Sequence, residues 1–231
     1  MKRTLVAGLV GGMLLANGSA YAASLVVKPD VAIKEAFPQV KVDSIRPTDI
    51  NGLYEVVSGQ NVLYFYPEKD LLIVGEIYTK ALRNLTAERK GELAAQKVKD
   101  LPLDKAVRIG NGKHVVIEFT DPDCPYCRKA SEFLKGRTDL TRYIFFAPFA
   151  HPAAAAKVEA ILAAKDKAAA YEDAMAGKSL PETKVGEEIK ALAQVQMNLA
   201  RQIGVNGTPT FFIDGKQVVG ADLKRIEELL K

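Results

Sequence analysis

The chain has 231 residues, with 32 Lys and Arg against 28 Asp and Glu, a net charge of +4; 48% of it is hydrophobic and 26% is charged. That supplies a real apolar core and a charged surface, which excludes a disordered chain and a multi-span membrane protein. A four-charge surplus with no clustered basic patch argues against nucleic acid as a partner, and two cysteines are too few for a disulfide-stapled miniprotein.

Lys2 and Arg3 open the chain, residues 4–16 are mostly apolar, and Ala20-Tyr21-Ala22 follows. A positive start, a short apolar stretch and a small-x-small motif make an export signal, predicted to be cleaved after Ala22. The apolar run of about 13 residues is shorter than the ~20 that span a hydrocarbon core. The mature protein is therefore expected in the periplasm.

Residues 31–37 suit one amphipathic helix. Strand character follows at 40–45, 53–57, 62–66 and 71–78, with Asn51-Gly52, Ser58-Gly59 and residues 67–70 as turns. Residues 23–80 thus form a small antiparallel-sheet domain. A module of that size is marginal alone, so it should pair with a second copy or another domain. Residues 81–102 hold a linker helix, polar over most of its surface and stopped at Leu101-Pro102.

From 103 to 231 the pattern is α/β. Residues 115–119 read as a buried central strand carrying one acid, Glu118. Residues 124–135 are helical, 143–146 form a second buried strand, and Ala-rich stretches at 153–176 and 184–202 make a helical insertion of about 151–203. Strands at 211–213 and 217–219 flank Asp214-Gly215, and an amphipathic helix at 221–230 ends the chain.

The chemistry centres on Cys124-Pro125-Tyr126-Cys127. Closing so short a loop removes little unfolded-chain entropy, so this pair is a poor structural staple and a better redox pair. A strand, a loop and then a helix start place Cys124 at the positive end of a helix dipole. In such settings a thiol pKa falls from ~8.5 to roughly 3.5–7.5. Cys124 is expected to be the exposed nucleophile and Cys127, one turn inward, the resolving thiol. Covalent haem would need His at 128, where Arg stands. Zinc would need two further ligands from a chain with only His114 and His151, and an iron–sulfur cluster lacks the cysteines. No metal and no cofactor are expected.

With Gly207-Thr208-Pro209-Thr210 downstream, the CPYC segment resembles the thioredoxin fold. The resemblance implies a cis proline at Pro209 facing the cysteines, with Thr208, Pro209, Pro125 and Tyr126 meeting the substrate chain. Within that fold the sequence resembles the DsbC/DsbG family of periplasmic disulfide isomerases. The likeness includes the N-terminal module, the linker helix, Phe119-Thr120-Asp121, Ala163-Ala164-Lys165-Asp166-Lys167 and Ala174-Met175-Ala176-Gly177-Lys178-Ser179. It implies a V-shaped homodimer joined through residues 23–80, clients among misfolded or mis-oxidised exported proteins, and a DsbD-type membrane reductant. The chain departs from the family twice. No cysteines remain for a second, structural disulfide, and the Pro-Tyr dipeptide matches the DsbG branch rather than the Gly-Tyr of DsbC proteins. Reduction of sulfenylated cysteines, net oxidation and a holdase chaperone role stay open beside disulfide isomerisation.

Glu118 lies six residues before Cys124, where thioredoxins carry a buried acid. The resemblance implies a desolvated carboxyl that takes the Cys127 proton, although strand alternation also permits an outward position. Asp123 should oppose the Cys124 thiolate weakly, with solvent screening it. Arg128 and Lys129 read as solvated helix residues, and His114 and His151 as ordinary satisfied or surface histidines.

Overall fold

The computed structural model describes residues 28–231; the expected export signal and its expected cleavage after Ala22 lie outside the described residues. Helix α1 (Pro29–Ala36) carries its proline in the first turn, where a missing N–H costs no hydrogen bond. It lays Ile33 on Val56 and Phe65 of a four-stranded antiparallel sheet. That sheet runs β1 (Ser44–Pro47), β2 (Tyr54–Ser58), β3 (Asn61–Tyr66) and β4 (Leu71–Ile73) in chain order. Gly59, with φ of 63°, supplies the positive φ that a two-residue hairpin between Ser58 and Asn61 requires. Two strands differ from expectation. The first joins the sheet only at Ser44, and the last ends at Ile73, just before Val74 and the poor strand former Gly75.

Helix α2 (Leu85–Val98) starts on Asn84, whose side chain accepts the Ala87 N–H. Its polar composition suggested a bare bridge, yet it is packed on both sides. Ala94 and Val98 join Phe119, Phe145 and Phe212 in the core of the second sheet. Gly91 sits against Gln217, and Leu93 packs beside Leu53, Val62 and Tyr64 of the first sheet. Glu55 accepts hydrogen bonds from Arg46 and Arg89, tying the small domain to α2 at 2.8 and 2.9 Å. A narrow stripe of small residues thus buries this helix with little hydrophobic signal.

The second sheet contains β5 (Val107–Gly110), β6 (His114–Thr120), β7 (Leu140–Phe146), β8 (Thr210–Ile213) and β9 (Lys216–Val219), in the order β5-β7-β6-β8-β9. Only β6 and β7 are parallel, joined by the crossover helix α3 (Pro125–Leu134). Strand β5, which the sequence pattern did not single out, pairs antiparallel with β7 at the edge. Helices α3 and α7 (Leu223–Leu229) cover one face, with Ala130, Leu134 and Ile226 on Val116, Phe211 and Ile213. Helices α2 and α6 (Glu187–Ile203) cover the other, where Ala200 and Ile203 meet Phe119 and Phe145. The Ala-rich stretch is two helices, α4 (Ala155–Ala163) and α5 (Lys167–Met175). Asp166 divides them because its side chain caps α5, accepting from the Ala169 N–H at 3.0 Å.

Candidate active site

Strand β6 delivers the chain to a tight loop at its C-terminal end, and α3 leaves from that loop. Cys124 is the residue that caps α3, with extended backbone and Pro125 in the first turn. Its N–H donates to the Asp121 carbonyl at 3.1 Å, and its carbonyl accepts the Arg128 N–H at 3.1 Å. Cys124 therefore stands at a helix start, where negative charge is favoured, and its side chain makes no capping hydrogen bond.

The peptide Thr208-Pro209 is cis and lies opposite. Cys124 Sγ donates to the Thr208 carbonyl at 3.6 Å. The structure thus brings together residues 84 positions apart. Pro125 and Tyr126 stand exposed beside them. Cys124 itself is not openly exposed as expected: it is 6% accessible, against 0% for Cys127. Val158, Ile161 and Tyr171 of the insertion share one apolar cluster with both cysteines and with Val107, Ile144 and Phe146 of the sheet.

Burial pushes the Cys127 thiol far above the ordinary cysteine range. The Thr120 hydroxyl, buried and otherwise without a partner, faces its sulfur together with the Asp121 N–H; both favour the thiolate, and burial outweighs them. Both sulfurs are free thiols. The pair is therefore asymmetric, with one residue at the helix start and slightly accessible, the other fully buried behind it.

Asp123 is not simply screened by solvent. Lys157 of α4 and Arg128 of α3 both pair with Oδ1, and the Lys157 hydrogen bond, with the charges of Lys157 and Arg128, holds its carboxyl below the usual range. Arg128 Nε also donates to the Pro122 carbonyl at 2.8 Å. This arginine buttresses the loop, whereas Lys129 is exposed.

Glu118 is fully buried, but not as a lone acid. Its Oε2 accepts from Arg142 at 2.9 Å and its Oε1 from the Tyr171 hydroxyl at 2.9 Å. Arg142 is 3% exposed and also reaches Glu172 at 3.2 Å. Its burial opposes the charge, yet Glu118 more than offsets this and keeps the guanidinium protonated. Sequence reasoning missed Arg142 and Tyr171. The signal for Arg142 was present: it lies one residue ahead of the predicted strand 143–146, and Val116 pairs with Arg142, placing it diagonal to Glu118 on one face. Nothing in the sequence pointed to Tyr171, which arrives on α5.

His114 lies at the start of β6, at the opposite end of that strand from the cysteines, and its Nδ1 is 2.9 Å from Asp214. His151 is placed differently from a plain surface histidine, with Nδ1 2.6 Å from the buried Asp121.

Residues 18–87 match the family model described as the disulfide bond isomerase protein N-terminal domain, and residues 101–231 match the thioredoxin-like domain. The probable thiol:disulfide interchange protein DsbC of Bordetella pertussis is 34% identical over 198 residues, covering 82% of this chain and 70% of the relative. The thiol:disulfide interchange protein DsbC of Escherichia coli K12 is 30% identical over 199 residues, covering 82% and 81%. The solved structure of the thiol-disulfide exchange protein alpha-DsbA2 from Wolbachia pipientis shares the fold, with a TM-score of 0.54 at 19% identity over 64% of this chain and 98% of that one. A thioredoxin-like α/β domain with a helical insertion, preceded by a four-stranded DsbC-type N-terminal domain, makes this chain a member of the DsbC family of thiol:disulfide interchange proteins, which are thiol–disulfide oxidoreductases and isomerases.

Proposed function

We propose that this protein is a periplasmic, homodimeric enzyme that reduces and isomerises wrong disulfides in exported proteins through Cys124 and Cys127. The observation that carries the reading is Cys124 capping α3 against the Thr208 carbonyl, with Cys127 buried behind it. The Cys124 thiolate attacks one sulfur of a client disulfide. The client S–S bond breaks, a mixed disulfide forms, and the departing client sulfur leaves as a thiolate. For isomerisation, another client thiolate then attacks the mixed disulfide, a new client disulfide forms and Cys124 is released unchanged. For reduction, Cys127 loses its proton and attacks Cys124 Sγ, so the client leaves with two electrons and the enzyme holds the Cys124–Cys127 disulfide. A DsbD-type membrane reductant would return it to the dithiol. Thr208 and Pro209, with exposed Pro125 and Tyr126, form the surface that would hold the client chain.

Dimerisation through residues 23–80 is supported by the outer edge of the first sheet. Leu71 and Ile73 on edge strand β4, together with Val74, Tyr78 and Leu82, are exposed apolar groups on one stretch of chain. No helix among the described residues is long and apolar enough to cross a membrane. The Pro-Tyr dipeptide, which resembles the DsbG branch, supports one second reading, reduction of sulfenylated cysteines, in which the Cys124 thiolate attacks Cys–SOH, a mixed disulfide forms and the oxygen leaves as water.

The test is refolding of a scrambled multi-disulfide protein. Cys124→Ser should abolish activity, and Cys127→Ser should accumulate the mixed disulfide. Unchanged activity in Cys124→Ser overturns the reading. Turnover of a sulfenylated protein without isomerase activity selects the second. Suppressed aggregation of clients by a Cys124→Ser/Cys127→Ser protein that never exchanged thiols as wild type would mark a holdase. Glu118→Gln decides the role of the buried acid: a proton acceptor predicts slower release of the mixed disulfide, and unchanged release excludes it.

A further inference from the structure

The connection between β7 and the insertion brings a histidine to the back of the cysteine loop. His151 Nδ1 lies 2.6 Å from Asp121 Oδ2. Asp121 is fully buried, and the His151 imidazole is the one side-chain partner of its carboxylate among the described residues. A buried carboxylate without a charged partner is costly and perturbs its neighbours. Those neighbours are the reacting groups. Asp121 Oδ1 accepts the Asp123 N–H at 2.9 Å, its carbonyl accepts the Cys124 N–H at 3.1 Å, and its own N–H faces Cys127. One residue thus touches the loop at three points and both cysteines. The other charges around it are spoken for: Asp123 is paired with Lys157 of α4 and Arg128 of α3, and the cis-proline segment opposite offers Thr208 and Pro209, which carry none.

We propose that His151 is a positioning residue for thiol exchange, acting through Asp121: its imidazolium neutralises the buried carboxylate and fixes the turn that aims backbone N–H groups at the two sulfurs. The inference rests on Cys124 and Cys127 being the exchanging pair. Without the positive charge, a buried carboxylate stands bare behind the cysteines. A like charge disfavours a thiolate, so the dithiol form loses stability relative to the disulfide.

The test equilibrates the full-length protein with reduced and oxidised glutathione, the dithiol and oxidised glutathione giving the protein disulfide and two reduced glutathiones. His151→Gln should favour the protein disulfide about threefold, or about 14 mV at 29.6 mV per tenfold. The Cys124 thiolate, followed by ultraviolet absorbance against pH, should appear at higher pH than in wild type. His151→Lys, which keeps a charge near Asp121, should restore the equilibrium. If His151→Gln does not fold, Asp121→Asn/His151→Gln, which removes both charges, should give a near wild-type equilibrium. A folded His151→Gln with unchanged equilibrium and thiolate profile overturns the proposal, as does a double variant shifted by more than threefold. A wild-type protein that does not exchange with glutathione would instead sink the reading of the cysteines themselves.

Discussion

Removing the Glu118 carboxylate strands a guanidinium in the core, and the size of the loss can be worked from the site. Arg142 is 3% exposed and Glu118 is fully buried, with Nη2 to Oε2 at 2.9 Å. Breaking such a pair from one side costs about 3–5 kcal/mol, since the remaining charge stays desolvated. Arg142 keeps Glu172 at 3.2 Å, itself only a quarter exposed, so Glu118→Ala belongs at the lower end, about 3 kcal/mol. With a urea slope of about 2 kcal/mol per molar, the midpoint should fall by about 1.5 M. Glu118→Leu/Arg142→Met removes both charges and keeps the volume filled. It should lie within about 1 kcal/mol of wild type, because a buried ion pair gains little over an apolar replacement. Urea denaturation at fixed protein concentration measures all three. A loss below about 1 kcal/mol in Glu118→Ala, or a double variant no better than the single, would show that this pair is not held as a desolvated charge couple.

Three further outcomes follow from the geometry. Because burial holds the Cys127 thiol protonated well above the ordinary range, iodoacetamide on the native dithiol protein at mildly alkaline pH should label Cys124 alone; equal labelling by mass spectrometry would contradict the asymmetry. The Asp123 carboxyl is depressed by Lys157, so its contribution is full above the unfolded value of about 3.9 and disappears as pH falls through the folded one. Asp123→Asn should accordingly melt below wild type at neutral pH, with the gap closing in acid; a constant gap would refute the assignment. A methyl at Gly112 would stand 1.9 Å from the Asp139 carbonyl carbon, whereas one at Gly91 would meet the movable Gln217 Oε1 at 2.8 Å. Thermal melts should therefore show Gly112→Ala destabilised by about 1–3 kcal/mol or more, and Gly91→Ala neutral or up to about 1 kcal/mol more stable from helix propensity.

The sequence by itself determined the fold class. Continuous apolar runs marked β6 and the end of β7, and the short Cys124–Cys127 spacing is the local feature from which a redox pair is read. The cis peptide at Thr208-Pro209 is what the resemblance to the thioredoxin fold implied, not something that residue type alone showed. The strand and cysteine signals are local, with residue type and spacing carrying the physics. Tertiary structure decided what depends on distant partners. Whether Glu118 stands alone or paired is set by Arg142 on the neighbouring strand and Tyr171 on an insertion helix. Whether His151 is ordinary or tied to the loop is set by Asp121, 30 residues earlier. Helix α2 shows the same limit: its composition is polar, yet Gly91, Ala94 and Val98 are buried, and burial through such small side chains leaves little trace in hydrophobicity. Electrostatic environment and access to Cys124 belong to the assembled site, because a charge or a thiol is defined by what surrounds it, and the chain brings those surroundings together only on folding.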